Sequence, residues 1–148
     1  MILKTKKFGE IDIDENSILY FEEGILGFED VHRFGVINNE DPESPFKWIQ
    51  SIENPDLAFA LVDPFAIKKD YEFELKDENA NLLGIINPSQ VLVYAIVVVP
   101  EDVKKISMNL KAPIIINTTN KKAAQIITDS DKYTVRHFIL DELQIQEV

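Results

Sequence analysis

Cysteine is absent from the 148-residue sequence, and histidine is scarce, with two residues. The lack of thiols excludes disulfide bonds, thiolate catalysis and zinc sites with sulfur ligands. The two histidines, His32 and His137, lie far apart in the sequence, and neither belongs to a His-x-x-x-His pair. We therefore expect no catalytic residue, no metal site and no cofactor. The missing cysteine also agrees with a reducing cytoplasm.

Long apolar runs are missing as well. The longest run, residues 91–99, is about half as long as a membrane helix requires. The first ten residues, MILKTKKFGE, contain no apolar stretch of the kind found in a signal peptide. The sequence therefore predicts a cytoplasmic protein that does not contact a membrane.

Basic residues are outnumbered, with 15 Lys and Arg against 26 Asp and Glu and a net charge of −11. Residues 1–45 contain 4 basic and 11 acidic side chains, residues 46–100 contain 4 and 8, and residues 101–148 contain 7 of each. This charge repels a phosphate backbone, so we expect no direct binding of nucleic acid. The acidity serves solubility alone, or it forms a face that attracts a basic protein partner.

Short strand patterns recur along the chain, and turn residues separate them. We predict strands over residues 2–6, 10–14, 17–21, 34–37, 46–52, 57–62, 71–76, 91–99, 106–110, 113–117 and 133–140. Many short strands and little helical periodicity are typical of a barrel or sandwich. The expected fold is mainly β: one domain over residues 1–148, a small closed or partly open antiparallel β-barrel with one or two short helical turns.

Four segments outside these strands receive weaker assignments. Residues 77–83 fit a short helix, with Asp77 as its N-cap and Gly84 after its end. Residues 123–128 fit either a strand or a short helix. The tail over residues 141–148 is expected to be disordered or to add to a sheet edge. Residues 38–45 have the composition of a surface loop.

The pattern centres on residues 45–64, which contain the only tryptophan. Two apolar runs flank Asn54-Pro55, a dipeptide that initiates turns, so this segment predicts a β-hairpin at the heart of the core. Trp48 and Phe59 are assigned to the core because their strand faces are apolar. Residues 91–99 (VLVYAIVVV) are rich in β-branched residues and predict a fully buried central strand.

Residues 21–30 (FEEGILGFED) combine acidic and apolar side chains in one loop. Gly24 and Gly27 suit the positive φ angles that bulky residues resist. Between the acids, Ile25, Leu26 and Phe28 form an apolar patch with an anionic rim.

Three stretches together resemble the flagellar assembly factor FliW family, and the likeness extends over nearly the whole chain. They are FEEGILGFED (21–30), PFKWIQSIENPDLAFALVDPF (45–65) and NLKAPIIINTTNKKAAQII (109–127). The resemblance implies a small β-barrel-like cytoplasmic protein without enzymatic activity. We expect a monomer, although the sequence leaves the oligomeric state open. It further implies two partners, flagellin and CsrA, a small dimeric RNA-binding repressor of flagellin translation. Whether the two partners share one surface or communicate through the fold is open at this point.

An apolar patch with a polar rim is a usual receptor for an amphipathic helix, such as those at the ends of flagellin. We therefore expect contact surface at the loop, at the turn over residues 53–56 and at Phe65. The candidate partner-binding residues are Glu22, Glu23, Ile25, Leu26, Phe28, Glu29, Asp30, Glu53, Asn54, Pro55, Asp56 and Phe65. The alternative is that the glycines and Asn54-Pro55 only set the backbone geometry.

Two other functions compete with this interpretation. Small closed sheets often bind oligonucleotides or oligosaccharides, although the net charge of −11 disfavours RNA. A hydrolase that uses two carboxylates would need converging acids, and no spacing in the sequence brings two acids together.

Overall fold

The computed structural model describes residues 1–38 and 41–146, which form eleven strands and three α-helices. The strands are β1 (Ile2–Thr5), β2 (Gly9–Asp12), β3 (Ile18–Phe21), β4 (Arg33–Asn38), β5 (Phe46–Ser51), β6 (Ala58–Val62), β7 (Val91–Val98), β8 (Ser107–Met108), β9 (Ile114–Asn117), β10 (Lys122–Gln125) and β11 (His137–Phe138). The helices are α1 (Pro64–Ile67), α2 (Asp77–Leu83) and α3 (Ile139–Gln146). Short 3-10 turns cover Glu15–Ser17, Pro88–Gln90 and Val103–Lys105.

Seven of the strands close into a barrel, which confirms the predicted fold class. They follow one another in the order β3, β4, β5, β6, β7, β9 and β10, and β10 pairs back to β3. This last pair is parallel, whereas the other barrel pairs are antiparallel. Strands β1 and β2 form a separate hairpin, and β8 and β11 extend the sheet from the far part of β7.

The chain buries two apolar clusters, one on each face of the barrel wall. Alternation along β6 separates them, because Leu61 belongs to the inner cluster and Ala60 and Val62 belong to the outer one. Large side chains fill the barrel, among them Phe21 and Phe34. The outer cluster lies between the barrel wall and the helices α1 and α3.

The predicted central hairpin is present as β5 and β6, with Phe46 opposite Val62 and Gln50 opposite Ala58. Trp48 and Phe59 are half-buried and pack against the outer and inner clusters, respectively. The tip of the β1–β2 hairpin covers Trp48, since the Phe8 ring meets it edge-on at 5.6 Å. The β5–β6 hairpin therefore contacts the N-terminal strands β1 and β2 as well as forming part of the barrel.

Two predicted strands are wrong, and both lie outside the barrel. Residues 71–76 are extended but pair with no strand among the described residues; Tyr71 and Phe73 instead pack onto the outer cluster. Residues 133–140 contain only the short β11, and the chain then turns into α3. An alternating pattern indicates that one face of a segment is buried. A segment that packs on the outside of a closed barrel has such a face even though its backbone pairs with no strand.

The tail over residues 141–146 belongs to α3, contrary to the expected disorder or edge strand; Glu147 and Val148 lie outside the described residues. Leu143 packs on the outer cluster, and the Glu142 carboxylate lies 3.2 Å from the Lys68 ammonium. An amphipathic turn with a fixed ion pair is thus favoured over an unpaired edge strand.

Other boundaries also differ from the predictions. Strand β7 is not fully buried, because Leu92 lies at a barrel opening and Val98 is exposed beyond the barrel wall. The N-cap of α2 is Lys76 and not Asp77, while Gly84 ends the helix as predicted. Residues 122–125 are a strand, and Asn39 and Glu40 of the predicted loop lie outside the described part of the chain. Among the described helices, none has the length and apolarity to cross a bilayer.

Candidate protein-binding surface

The loop between β3 and β4, residues 22–30, has a defined backbone. Gly24 has a φ of 69°, and a Cβ atom there would lie 2.6 Å from the carbonyl oxygen of Phe28. The Phe28 amide donates to the Ile25 carbonyl at 2.6 Å, and the Leu26 amide donates to Oε1 of Gln125 at 2.9 Å. These contacts hold the loop, hereafter the acidic loop, in one shape against the end of β10.

The acidic loop exposes two of its three apolar side chains. Leu26 and Phe28 are 57% and 40% exposed, whereas Ile25 is 2% exposed and belongs to the inner cluster. The expected exposure of Ile25 is therefore wrong, because the loop closes the end of the barrel and needs an apolar plug there. The Phe28 ring packs edge-on against Phe59 at 5.4 Å and remains partly exposed.

The four acidic side chains of the loop, Glu22, Glu23, Glu29 and Asp30, are all exposed. The Gly27 amide donates to the Glu29 carboxylate at 3.0 Å. This bond and the amide of Glu29 itself lower the pKa of the Glu29 carboxyl group, so its charge persists at mildly acidic pH. The loop thus presents Leu26 and Phe28 within a ring of negative charge.

The turn over residues 53–56 lies at the same end of the barrel, hereafter the loop end. Glu53 accepts a hydrogen bond from the Arg33 amide at 3.2 Å and contacts Nε of Arg33 at 3.3 Å, which ties the turn to the start of β4. Asn54 Oδ1 accepts from the Asp56 amide at 3.0 Å, and the Pro55 carbonyl accepts from the Lys6 amide at 3.0 Å. The structure therefore unites the loop and the turn in one exposed, acidic surface.

Phe65 does not belong to this surface. It follows β6, whose first residue adjoins the turn over residues 53–56, so α1 lies at the opposite end of the barrel. Its ring is 41% exposed and lies 5.5 Å from that of Tyr71. The side chain is available for contact, but at a second place.

A groove beside Phe65 was missed by the sequence reasoning. It runs between α2 and the first half of β7, and its apolar lining residues are Phe65, Phe73, Leu75, Ala80, Ile85, Ile86, Val91 and Val93. Ile86 is 92% exposed beside Phe65 and the other apolar residues of this helix groove. The signal in the sequence was the pair Ile85-Ile86 directly before the Asn87-Pro88 turn.

The described residues contain no group of three or more His, Cys, Asp or Glu side chains able to hold a metal ion. Both histidines make local hydrogen-bonding contacts. His32 Nδ1 lies 2.9 Å from the Phe21 carbonyl, and His137 Nε2 accepts from the Thr134 amide at 2.9 Å. These contacts join neighbouring segments of the chain.

Comparisons with known proteins place this chain in a family. The family model described as FliW protein matches residues 2–139. The flagellar assembly factor FliW of Ruminiclostridium cellulolyticum is 62% identical over 148 residues, covering 100% of both chains. That of Caldanaerobacter subterraneus subsp. tengcongensis is 49% identical over 97% of this chain and 96% of its own. A crystal structure of the flagellar assembly factor FliW superposes with a TM-score of 0.85 at 33% identity, covering 94% of this chain and 96% of that one. The chain therefore belongs to the FliW family.

Proposed function

We propose that this protein is a cytoplasmic flagellar assembly factor that acts as a chaperone and regulator by binding flagellin and the translational repressor CsrA. Binding of CsrA relieves the repression of flagellin synthesis, and no catalytic step is involved. The observation that carries the proposal is the family match over residues 2–139 together with full-length relatives named as flagellar assembly factors.

The charge of the loop end supports the CsrA half of the proposal. A repressor that binds RNA is basic, and Glu22, Glu23, Asp30 and Asp56 give it an exposed acidic target. Oppositely charged surfaces accelerate encounter strongly at low salt. Leu26 and Phe28 supply apolar contact area at the centre of that target, where binding energy concentrates.

The helix groove supports the flagellin half. Flagellin ends in amphipathic helices, and such helices insert the apolar side chains of one face into an apolar groove. Phe65 and Ile86 are exposed in this groove, and both are apolar side chains suited to contact the apolar face of a helix. The groove lies away from the loop end, so the two partners are assigned to separate surfaces.

A pull-down from the lysate of a motile bacterium tests the proposal. The tagged protein should retain flagellin and a small basic dimer, both identified by mass spectrometry, and nuclease treatment should not release them. Recovery of RNA without either protein would instead support an oligonucleotide-binding barrel and contradict the proposal.

A further inference from the structure

Helix α2 borders both of the surfaces that the proposed function assigns to partners. Ala80 and Asn81 of α2 line the helix groove. The next two residues of the helix, Leu82 and Leu83, line a separate, smaller recess. The start of the acidic loop, residues 22–24, lines the same recess. One short helix therefore adjoins the groove on the outer wall and the loop that closes the barrel end.

The helix α2 is held mainly at its C-terminal end. Within Asp77–Leu83, every residue of which the structure describes, Leu83 alone is buried, and the N-cap residue Lys76 supplies no side-chain hydrogen bond to the first turn. The Leu83 carbonyl accepts hydrogen bonds from the side-chain amides of Asn117 at 2.9 Å and Asn120 at 3.0 Å. Elements with few buried apolar contacts open at a low free-energy cost. The helix therefore moves more readily than the barrel strands, and its anchored end transmits the movement.

The segment that receives this end of α2 is residues 117–121 (NTTNK), hereafter the connector, which leads from β9 into β10. A second set of hydrogen bonds joins the connector to the helix groove through Gln90. The Gln90 side-chain amide donates to the Thr119 hydroxyl at 2.9 Å, and the Gln90 carbonyl accepts from the Thr118 amide at 2.8 Å. Oε1 of Gln90 in turn accepts from the amide of Ile86 at 2.9 Å. The exposed isoleucine of the groove is thus two hydrogen bonds away from the connector.

The other side of the connector bonds to the strand that leads into the acidic loop. The Lys121 carbonyl accepts from the Tyr20 amide at 2.9 Å. Next to this bond, β10 pairs in parallel with the end of β3 through Lys122 and Ala123. Strand β3 ends at Phe21, and the acidic loop begins with the following residue. Hydrogen bonds therefore join the helix groove, the connector and the start of the acidic loop in one series.

We propose that α2 and the connector couple the helix groove to the acidic loop, so that an amphipathic helix in the groove weakens binding of the basic partner at the loop end. The inference rests on the proposed function, which assigns these sites to flagellin and CsrA, and it adds the residues that transmit the effect. Thr119 and Asn120 are positioning residues, because they belong to the connector and line neither the groove nor the recess.

The coupling follows from the position of α2 in the wall of the groove. A helix that enters the groove contacts α2 and displaces it. The bonds at Leu83 and Gln90 pass the displacement to the connector, and the connector and the recess pass it to the start of the acidic loop. The loop then loses part of the preorganised shape that favours binding of a partner. Thermodynamic linkage makes the effect reciprocal, so the basic partner weakens binding in the groove by the same factor.

Calorimetric titration of the full-length protein with CsrA, in the absence and presence of saturating flagellin, measures the coupling. In the wild type, flagellin should weaken CsrA binding at least about 10-fold. Asn120→Asp keeps the acceptor for the Lys122 amide and loses the donor to the Leu83 carbonyl. This variant should bind each partner alone within about 2-fold of the wild type and reduce the coupling to below about 3-fold. The control Gln144→Glu makes the same amide-to-carboxylate change at an exposed residue of α3 and should retain the full coupling.

A second pair of variants tests the bond between Gln90 and the connector. Thr119→Val removes the hydroxyl that accepts from Gln90 and should also reduce the coupling, whereas Thr128→Val removes a hydroxyl without a hydrogen-bond partner among the described residues and should not. Unchanged coupling in Asn120→Asp and Thr119→Val, or binding of CsrA to the wild type that flagellin does not weaken, would overturn the inference and leave the proposed function intact. Failure of both purified partners to bind the wild type would contradict the proposed function itself. If Asn120→Asp unfolds, the Thr119→Val pair decides.

Discussion

Gly24 shows how one residue sets the shape of the acidic loop. Both of its constraints act together, because its φ is 69° and a Cβ atom would meet the Phe28 carbonyl at 2.6 Å. Gly27 has a φ of 88°, but a Cβ atom there would meet nothing within 4 Å. The first glycine therefore carries a steric penalty on substitution that the second lacks.

Replacing Gly24 by alanine should lower the free energy of unfolding by about 2–3 kcal/mol, and Gly27→Ala by about 1 kcal/mol. The difference is the displacement of the Phe28 carbonyl, which accepts a hydrogen bond from the Val31 amide at 3.1 Å. Urea unfolding of the two variants measures it. Equal losses would show that the close approach is not a constraint.

Tyr71 gives the fold a dependence on alkaline pH. Burial, and then the neighbouring Tyr133, raise the pKa of the Tyr71 hydroxyl well above its usual value, and the hydroxyl donates to the Leu110 carbonyl at 3.0 Å. The unfolded chain releases this proton near pH 10, while the folded chain retains it. The stabilisation is therefore complete below about pH 10 and declines as the pH rises further.

Tyr71→Phe should lower the free energy of unfolding by about 1 kcal/mol at pH 8, since the hydrogen bond to Leu110 is lost. Above pH 10 the difference in the free energy of unfolding between the wild type and the variant should narrow, because the variant has no hydroxyl at this position to ionise in the unfolded state. Urea midpoints of both proteins at pH 8 and pH 10.5 provide the test. A constant gap would contradict the assigned pKa direction.

The exposure of individual side chains was predictable from the sequence only where the local composition determines it. Leu26 and the acids of the loop are exposed as expected, since nothing in FEEGILGFED could bury them all. Ile25 was misjudged because only the closed barrel end reveals that the loop must plug it. Its neighbours in sequence have the same polarity pattern, and the difference comes from backbone direction at Gly24.

At the scale of elements, the acidic loop and the turn over residues 53–56 form one surface because their strands run in known directions. The hairpin β5–β6 was predictable, since Asn54-Pro55 and two apolar runs specify it locally. The location of Phe65 was not predictable, because it depends on the direction in which β6 runs between the two ends of the barrel. The strand predicted over residues 71–76 was wrong for a related reason, because an alternating pattern does not specify which strand it pairs with.

Reversing charge on the acidic loop should slow association with CsrA. The double variant Glu22→Lys, Glu23→Lys should reduce the association rate at low salt by about 10-fold and leave the dissociation rate nearly unchanged. The control Glu72→Lys, Glu74→Lys makes the same change in net charge at another exposed site. Stopped-flow kinetics would contradict the assignment if both variants slowed association equally, or if neither did.

Polar substitution in the helix groove should weaken flagellin binding. Ile86→Asp should raise the dissociation constant for flagellin at least about 10-fold, because it introduces a charge into the apolar contact. Ile86 is almost fully exposed, so the fold should be preserved. Ile127→Asp, at an exposed residue outside the groove, is the control, and calorimetry of both variants with CsrA should show no change. Unaltered flagellin binding by Ile86→Asp would remove the groove from the account.

At the scale of the whole molecule, closure of seven strands leaves the barrel without free edges, and its features separate by position. The loop end is acidic, large apolar side chains fill the barrel, and the helix groove lies on the outer wall. The fold class followed from the strand patterns, whereas this arrangement required the strand order, which no local pattern specifies. The proposed assignment of flagellin and CsrA to separate positions predicts that both can occupy one molecule.

Calorimetric titration of the purified protein with flagellin and with CsrA, each in the absence and presence of the other, tests the central claim most directly. We predict saturable binding of each partner alone. We also predict that bound flagellin weakens CsrA binding by the same factor by which bound CsrA weakens flagellin binding, as thermodynamic linkage requires. Absence of binding by both purified partners would contradict the claim that this protein works by capturing them.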